Sequence, residues 1–170
     1  SGSSLVYSTY LGGTSTDIAT GIALDASGKV WLTGQTMSTD FPVTGGSYQA
    51  TYRDKGDIFV TRLDITKSGL DALDYSTYFG GEDFETPYAI AIDPAGNVCL
   101  TGYTMSSEFP VTSNAFQQTF AGLADVFVVK FDFSTAPGTL LYSSYVGGSS
   151  ADVAYALAVD AAGKLYVTGY

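Results

Sequence analysis

Histidine is missing from all 170 residues. Its absence removes the Ser-His-Asp and Cys-His forms of nucleophilic catalysis and the commonest zinc ligand. Cysteine occurs once, at position 99, so no intrachain disulfide can form and the redox compartment stays open. Basic residues are scarce: seven Lys and Arg against seventeen Asp and Glu give a formal net charge of −10. Such a chain has no cationic stripe for a nucleic-acid backbone and no polybasic patch for an anionic membrane. No apolar run approaches the ~20 residues needed to cross a bilayer. The opening SGSSLVYSTY shows neither a charged n-region nor an apolar h-region, so no export signal is visible; a mature or trimmed secreted chain would look the same.

What the chain has is β-forming residues and repetition. A content of 45% hydrophobic and 14% aromatic residues is enough for a folded core. Twenty glycines, abundant Tyr, Thr and Val, and no long apolar stripe at helical period point to an all-β chain. YSTYLGG at 7–13 returns as YSTYFGG at 75–81 and YSSYVGG at 142–148, at offsets of 68 and 67 residues. GIALDASGKVWLTG at 21–34 returns at 89–102 and 156–169, TMSTDFPVT at 36–44 returns at 104–112, and DIFVTRLD at 57–64 returns at 125–132. Repeats of this length are modules that bury their apolar faces only against neighbours. A residue present in every copy therefore serves the architecture first.

Each unit reads as four strands. In the first unit these are Gly21–Asp25, Val30–Gly34, Ile58–Leu63 and Leu73–Phe79, with a connection of about twenty residues before the third. Asp25 and Gly28, with their copies Asp93/Gly96 and Asp160/Gly163, mark a tight hairpin: Asp caps local amides and Gly takes a positive φ. Small residues alternate with larger ones on the first strand, Gly21 and Ala23 against Ile22 and Leu24, as close packing at the centre of a radial array requires. The expected fold is therefore a set of β-propeller blades of four antiparallel strands, with a β-sandwich or β-solenoid as the alternative. The boundaries are 5–13 for the terminal strand of a preceding blade, 17–81 and 85–148 for two full units, and 152–170 for the first hairpin of a partial third. That makes eleven strands.

These phrases resemble the bacterial SBBP repeats, a family named for seven-bladed β-propellers, and more weakly the NHL-type propeller repeat. The resemblance rests on YSTYLGG, on AIAIDPAGNVCLTG, on TMSSEFPVT and on DVFVVKFD, which occur in order in consecutive units. It implies four-stranded blades around a central channel, mostly in exported or surface proteins, and it carries no catalytic residue across. At 170 residues the chain is too short for seven blades.

Candidate chemistry is thin. Cys99 stands where other copies have Trp31 and Tyr166, which reads as hydrophobic filling of a strand. Glu82, Asp83 and Glu85 form the most acidic departure from the repeat, where a Ca²⁺ ion or a glycosidase-like carboxylate pair is conceivable and a solvated loop is the plainer reading. Twelve of the seventeen acidic residues sit at repeat-equivalent positions, which suits turn and strand-end roles. The Gly-Gly pairs precede no helix and no P-loop lysine, so they form no phosphate cradle. Tyr48, Tyr52, Phe116 and Phe120 offer either a sugar-stacking surface or anchors for the long connection. The overall expectation is a non-enzymatic structural or protein-interaction module without a cofactor, outside the cell or on its surface. A carbohydrate-binding module is the alternative, and a hydrolase a distant third. Strands left unpaired at the two ends predict self-association through Leu5, Tyr7, Tyr10 and Leu11 against Leu165, Tyr166 and Val167, closing a ring or extending a filament. A fragment of a longer propeller would show the same ends.

Overall fold

In the computed structural model, which describes residues 2 and 4–170, the hairpins form where the Asp-x-x-Gly phrase falls. Asp25 Oδ1 accepts from the N–H groups of Ser27 (2.9 Å) and Lys29 (3.0 Å), and Gly28 donates back to the Asp25 carbonyl. Asp93 and Asp160 repeat the arrangement. Gly28, Gly96 and Gly163 take φ of 80°, 88° and 78°, a region open to glycine at little cost. The second carboxylate oxygen is used differently in each copy. Trp31 Nε1 donates to Asp25 Oδ2 (3.2 Å) and the Tyr166 hydroxyl to Asp160 Oδ2 (3.0 Å). Where Cys99 replaces the aromatic residue, Asn97 Nδ2 and the Lys130 ammonium serve Asp93 instead.

Two four-stranded antiparallel sheets result. The first is β1 (Asp17–Leu24), β2 (Val30–Thr36), β3 (Asp57–Leu63) and β4 (Leu73–Phe79), in that spatial order. The second is β5 (Glu85–Ile92), β6 (Val98–Thr104), β7 (Asp125–Asp132) and β8 (Thr139–Val146). β9 (Ala154–Val159) and β10 (Leu165–Gly169) form a hairpin that repeats β1–β2. The described residues hold ten strands rather than eleven. Leu5–Leu11 is not a strand, because the third-type strand that such a segment pairs with in its own blade is not among the described residues. It still occupies the expected place: Leu11 packs on the Phe41, Phe59 and Tyr78 cluster, and Gly13 donates to Asp17 Oδ2 (2.8 Å) as Gly81 does to Glu85 Oε2.

The inner strands β1, β5 and β9 lie side by side, and their alternation sets the stacking. A methyl on Gly21 would sit 2.9 Å from Cγ2 of Ile90, so the missing side chain lets β5 approach. Ala23, Ile90 and Ile92 join the main core, which runs between the two sheets through Trp31, Ile58, Val60, Phe79, Phe109 and Phe127. The small face of each first strand thus takes the large face of the next. Each inner strand also carries a bulge, at Thr20, Tyr88 and Tyr155, which turns one side chain out of register.

Candidate functional site at the blade junctions and edges

The uncovered surfaces repeat, residue for residue, surfaces that are buried inside the chain. Ile90 and Ile92 pack into the core against the first sheet, whereas Ile22 and Leu24 stand 67% and 66% exposed. Phe79 is fully buried, and its copy Val146 is 40% exposed. β10 hydrogen-bonds only to β9, so its other edge is open. Beside that edge lies a cavity of about 290 Å³ lined by Val126, Val128, Val146, Val153 and Val167. At the first junction the equivalent space lies next to Phe127 of β7, stacked on Phe109. A second cavity, of about 270 Å³, separates the first sheet from Tyr7, Tyr10 and Leu11. The residues expected at the oligomer junction therefore lie on edges: Leu5 and Tyr10 are 81% and 103% exposed, Tyr7 and Leu11 are half-buried, and Leu165, Tyr166 and Val167 lie on the open strand.

Three of the four loop aromatics are anchors. Tyr48 packs edge-on against Phe79 (5.9 Å) and Phe131 (5.1 Å), and its N–H donates to the Tyr75 hydroxyl. Tyr52 packs on Tyr78 and Phe120 on Tyr145. Phe116, the copy of Tyr48, is 80% exposed, because the partner that Phe131 supplies to Tyr48 has no counterpart in a third sheet among the described residues.

The acidic loop is dispersed rather than convergent. Glu82 faces solvent and Asp83 pairs with Lys55 (2.7 Å). Glu85 turns inward, fully buried, onto the hydroxyls of Thr104 and Ser106 and the N–H of Gly81. Among the described residues no three acidic, His or Cys side chains converge as metal ligands, and these three side chains turn to different partners. Cys99 is fully buried and burial pushes its thiol up to about 12, which suits packing rather than nucleophilic attack.

Two features escaped the reading of the sequence. One is a cluster of Tyr88, Tyr103, Tyr155 and Tyr170 on the inner strands and their neighbours, with ring centroids 5.3–6.1 Å apart. Its signal was a paired departure between repeats: Tyr88 with Tyr103, and Tyr155 with Tyr170, stand where the first copy has Thr20 with Gln35. The other is the convergence of Asp57 and Glu85 on the space beside Gly80. Both positions were visible as repeated acids, but nothing in the spacing showed that they meet.

Four-stranded antiparallel sheets set inner strand to inner strand, with the core between them, define a β-propeller repeat protein. Residues 6–42 and 74–110 match the family model of the SBBP beta-propeller repeat, and these two segments carry repeats of that family. Each matched segment begins at the fourth-type position and ends on the Phe-Pro after the next hairpin, so the family's unit spans a blade junction. No curated protein matches the chain.

Proposed function

We propose that the chain is a non-catalytic interaction scaffold, working without a cofactor, whose open edges join it to a second copy of itself. The observation that carries this reading is the repetition of buried junction residues as exposed end residues. The chain presents both halves of a contact that it already makes internally. The Tyr7–Leu11 segment of one copy adds to the open edge of β10 in the next, and aliphatic surface around Val167 is covered. A location outside the cell or on its surface accords with few Lys and many Ser, Thr, Tyr and Gly residues.

Carbohydrate binding is the second reading, favoured by the tyrosine cluster. Tyr155 and Tyr170 are 51% and 68% exposed and offer ring faces of the kind that sugars stack on. Light scattering on the eluting particle separates the two. The intact chain is expected to run as an oligomer, and deletion of residues 1–12 or Val167→Asp to reduce it to smaller species. A stable, well-folded monomer of the intact chain would rule out the scaffold reading. A glycan array in which Tyr155→Ala abolishes a signal would favour the second.

A further inference from the structure

An acidic residue opens each third strand, another stands at or just before the start of each following first strand, and the fold brings the two near one glycine. Asp57 and Glu85 are both fully buried. Asp57 Oδ2 accepts from Gln49 Nε2 (2.7 Å) and the N–H of Arg53 (3.0 Å), while its Oδ1 has no hydrogen-bond partner. That orphan oxygen and Glu85 Oε2 border the same space beside Gly80, where a single methyl would collide with both. The second junction repeats the arrangement. Asp125 Oδ2 accepts from Gln117 Nε2 and the N–H of Ala121, its Oδ1 is orphaned, and a methyl on Gly147 would collide with Asp125 Oδ1 and Asp152 Oδ2.

Two carboxylates that border the same small space and are withdrawn from water, as Asp57 and Glu85 are, do not both ionise easily. No ion pair among the described residues includes any of the four. The charged or titratable groups that face the first pair are Arg53, Asp54 and Tyr52 from the loop before β3, Tyr78 on β4 and Tyr145 on β8. Asp125 faces Asp152 and Tyr145. We propose that the junction between the two full sheets holds one proton shared by Asp57 and Glu85, and that raising the pH loosens the junction by removing it. The proton supplies the donor that the orphan Asp57 oxygen lacks. It also explains the glycines: Gly80 and Gly147 have no side chain because the carboxyl groups occupy that space.

Burial pushes Asp57 and Glu85 each up to about 7, with Asp57 adding to the shift of Glu85, and the two titrate as a unit. Unfolded carboxyls titrate near pH 4. A folded value raised above the unfolded one contributes stability that is fully present below about pH 4 and is lost as pH rises through about 7. Burial also raises Asp125, whose neighbour Asp152 is only half-buried.

The test is a carboxyl ¹³C NMR titration of the full chain from acid to mildly alkaline pH, with urea melts alongside. Resonances of the Asp57–Glu85 pair are expected to titrate near neutrality. In Asp57→Asn, Glu85 should move back toward the ordinary carboxylate range and the urea midpoint should stop declining between mildly acidic and neutral pH. If Asp57→Asn does not fold, the wild-type titration decides alone. Ordinary midpoints for every carboxyl, or a wild-type urea midpoint that rises over that range, would overturn the proposal. So would stabilisation by added Ca²⁺ that Asp57→Asn abolishes, because the orphan oxygen would then hold a metal ion in place of a proton.

Discussion

Replacing Gly80 with alanine places one methyl group in the junction between the two full sheets, at a point where two carboxyl groups already meet. The added carbon would collide with Glu85 Oε2, lie 2.9 Å from Asp57 Oδ1 and lie 3.2 Å from Glu85 Cδ. Room is made by moving Glu85, which is held on Oε1 by Thr104 and Ser106 and on Oε2 by Gly81. Overpacking a filled interior costs about 1–3 kcal/mol. Loosening a hydrogen bond to a buried carboxyl adds about 1–3 kcal/mol. Gly80→Ala should therefore destabilise by roughly 2–6 kcal/mol, or several degrees in Tm at about 2–4 °C per kcal/mol for a chain of this size. Gly96→Ala is the control: nothing lies within 4 Å of its added carbon, and only the φ of 88° is strained. Its cost should be about 1 kcal/mol. Urea melts at equal protein concentration and mildly acidic pH measure both. If Gly80→Ala costs no more than Gly96→Ala, the close packing of the junction around Gly80 is wrong.

Cys99→Val should cost no more than about 1–2 kcal/mol and leave oligomeric state unchanged, and a thiol reagent should label Cys99 only after denaturation. Tyr48→Ala should cost about 3–5 kcal/mol in a urea melt, as for a large packed aromatic, while its repeat copy Phe116→Ala should stay within about 0.5 kcal/mol in dilute solution. For Asp93, burial pushes its carboxyl up but Lys130 and Asn97 pull harder, leaving it lowered to about 2. Its contribution is present above about pH 4 and lost as pH falls toward 2, so Asp93→Asn should flatten the acid limb of a Tm-against-pH curve.

The hairpins were fully legible in the sequence, because Asp25, Gly28 and their copies act through backbone groups two to four residues away. The alternation of Gly21 and Ala23 with Ile22 and Leu24 also read correctly, since period two maps directly onto two faces of a strand. Range is what limited the rest. Asp57 and Glu85 lie 28 positions apart on different sheets, and their convergence depends on how the junction closes rather than on any local preference. The bulges at Tyr88 and Tyr155 shift a side chain out of the alternation, so the tyrosine cluster could not be placed by counting. The Leu5–Leu11 segment shows the opposite case: its composition is that of a strand, but a strand exists only when a partner edge is paired with it.

The hairpin carboxylates make the blades less interchangeable than their near-identical phrases suggest. Asp25 depends on the indole of Trp31; Asp93 depends on Lys130 and Asn97; Asp160 depends on the phenol of Tyr166. Position 62 follows suit: Arg62 pairs with Asp74 on β4, and Lys130 takes Asp93 because Leu141 stands where Asp74 would be. Genetic exchange between the copies, which repeated coding sequence invites, would splice Cys99 beside Arg62 or leave Lys130 facing an indole. The first product takes Lys130 away from Asp93, and the second leaves Lys29 and Lys130 with Leu141 in place of Asp74. The small differences between the copies thus act as a lock against their own recombination, and a designer grafting blades must move positions 25, 29, 31, 62 and 74 together.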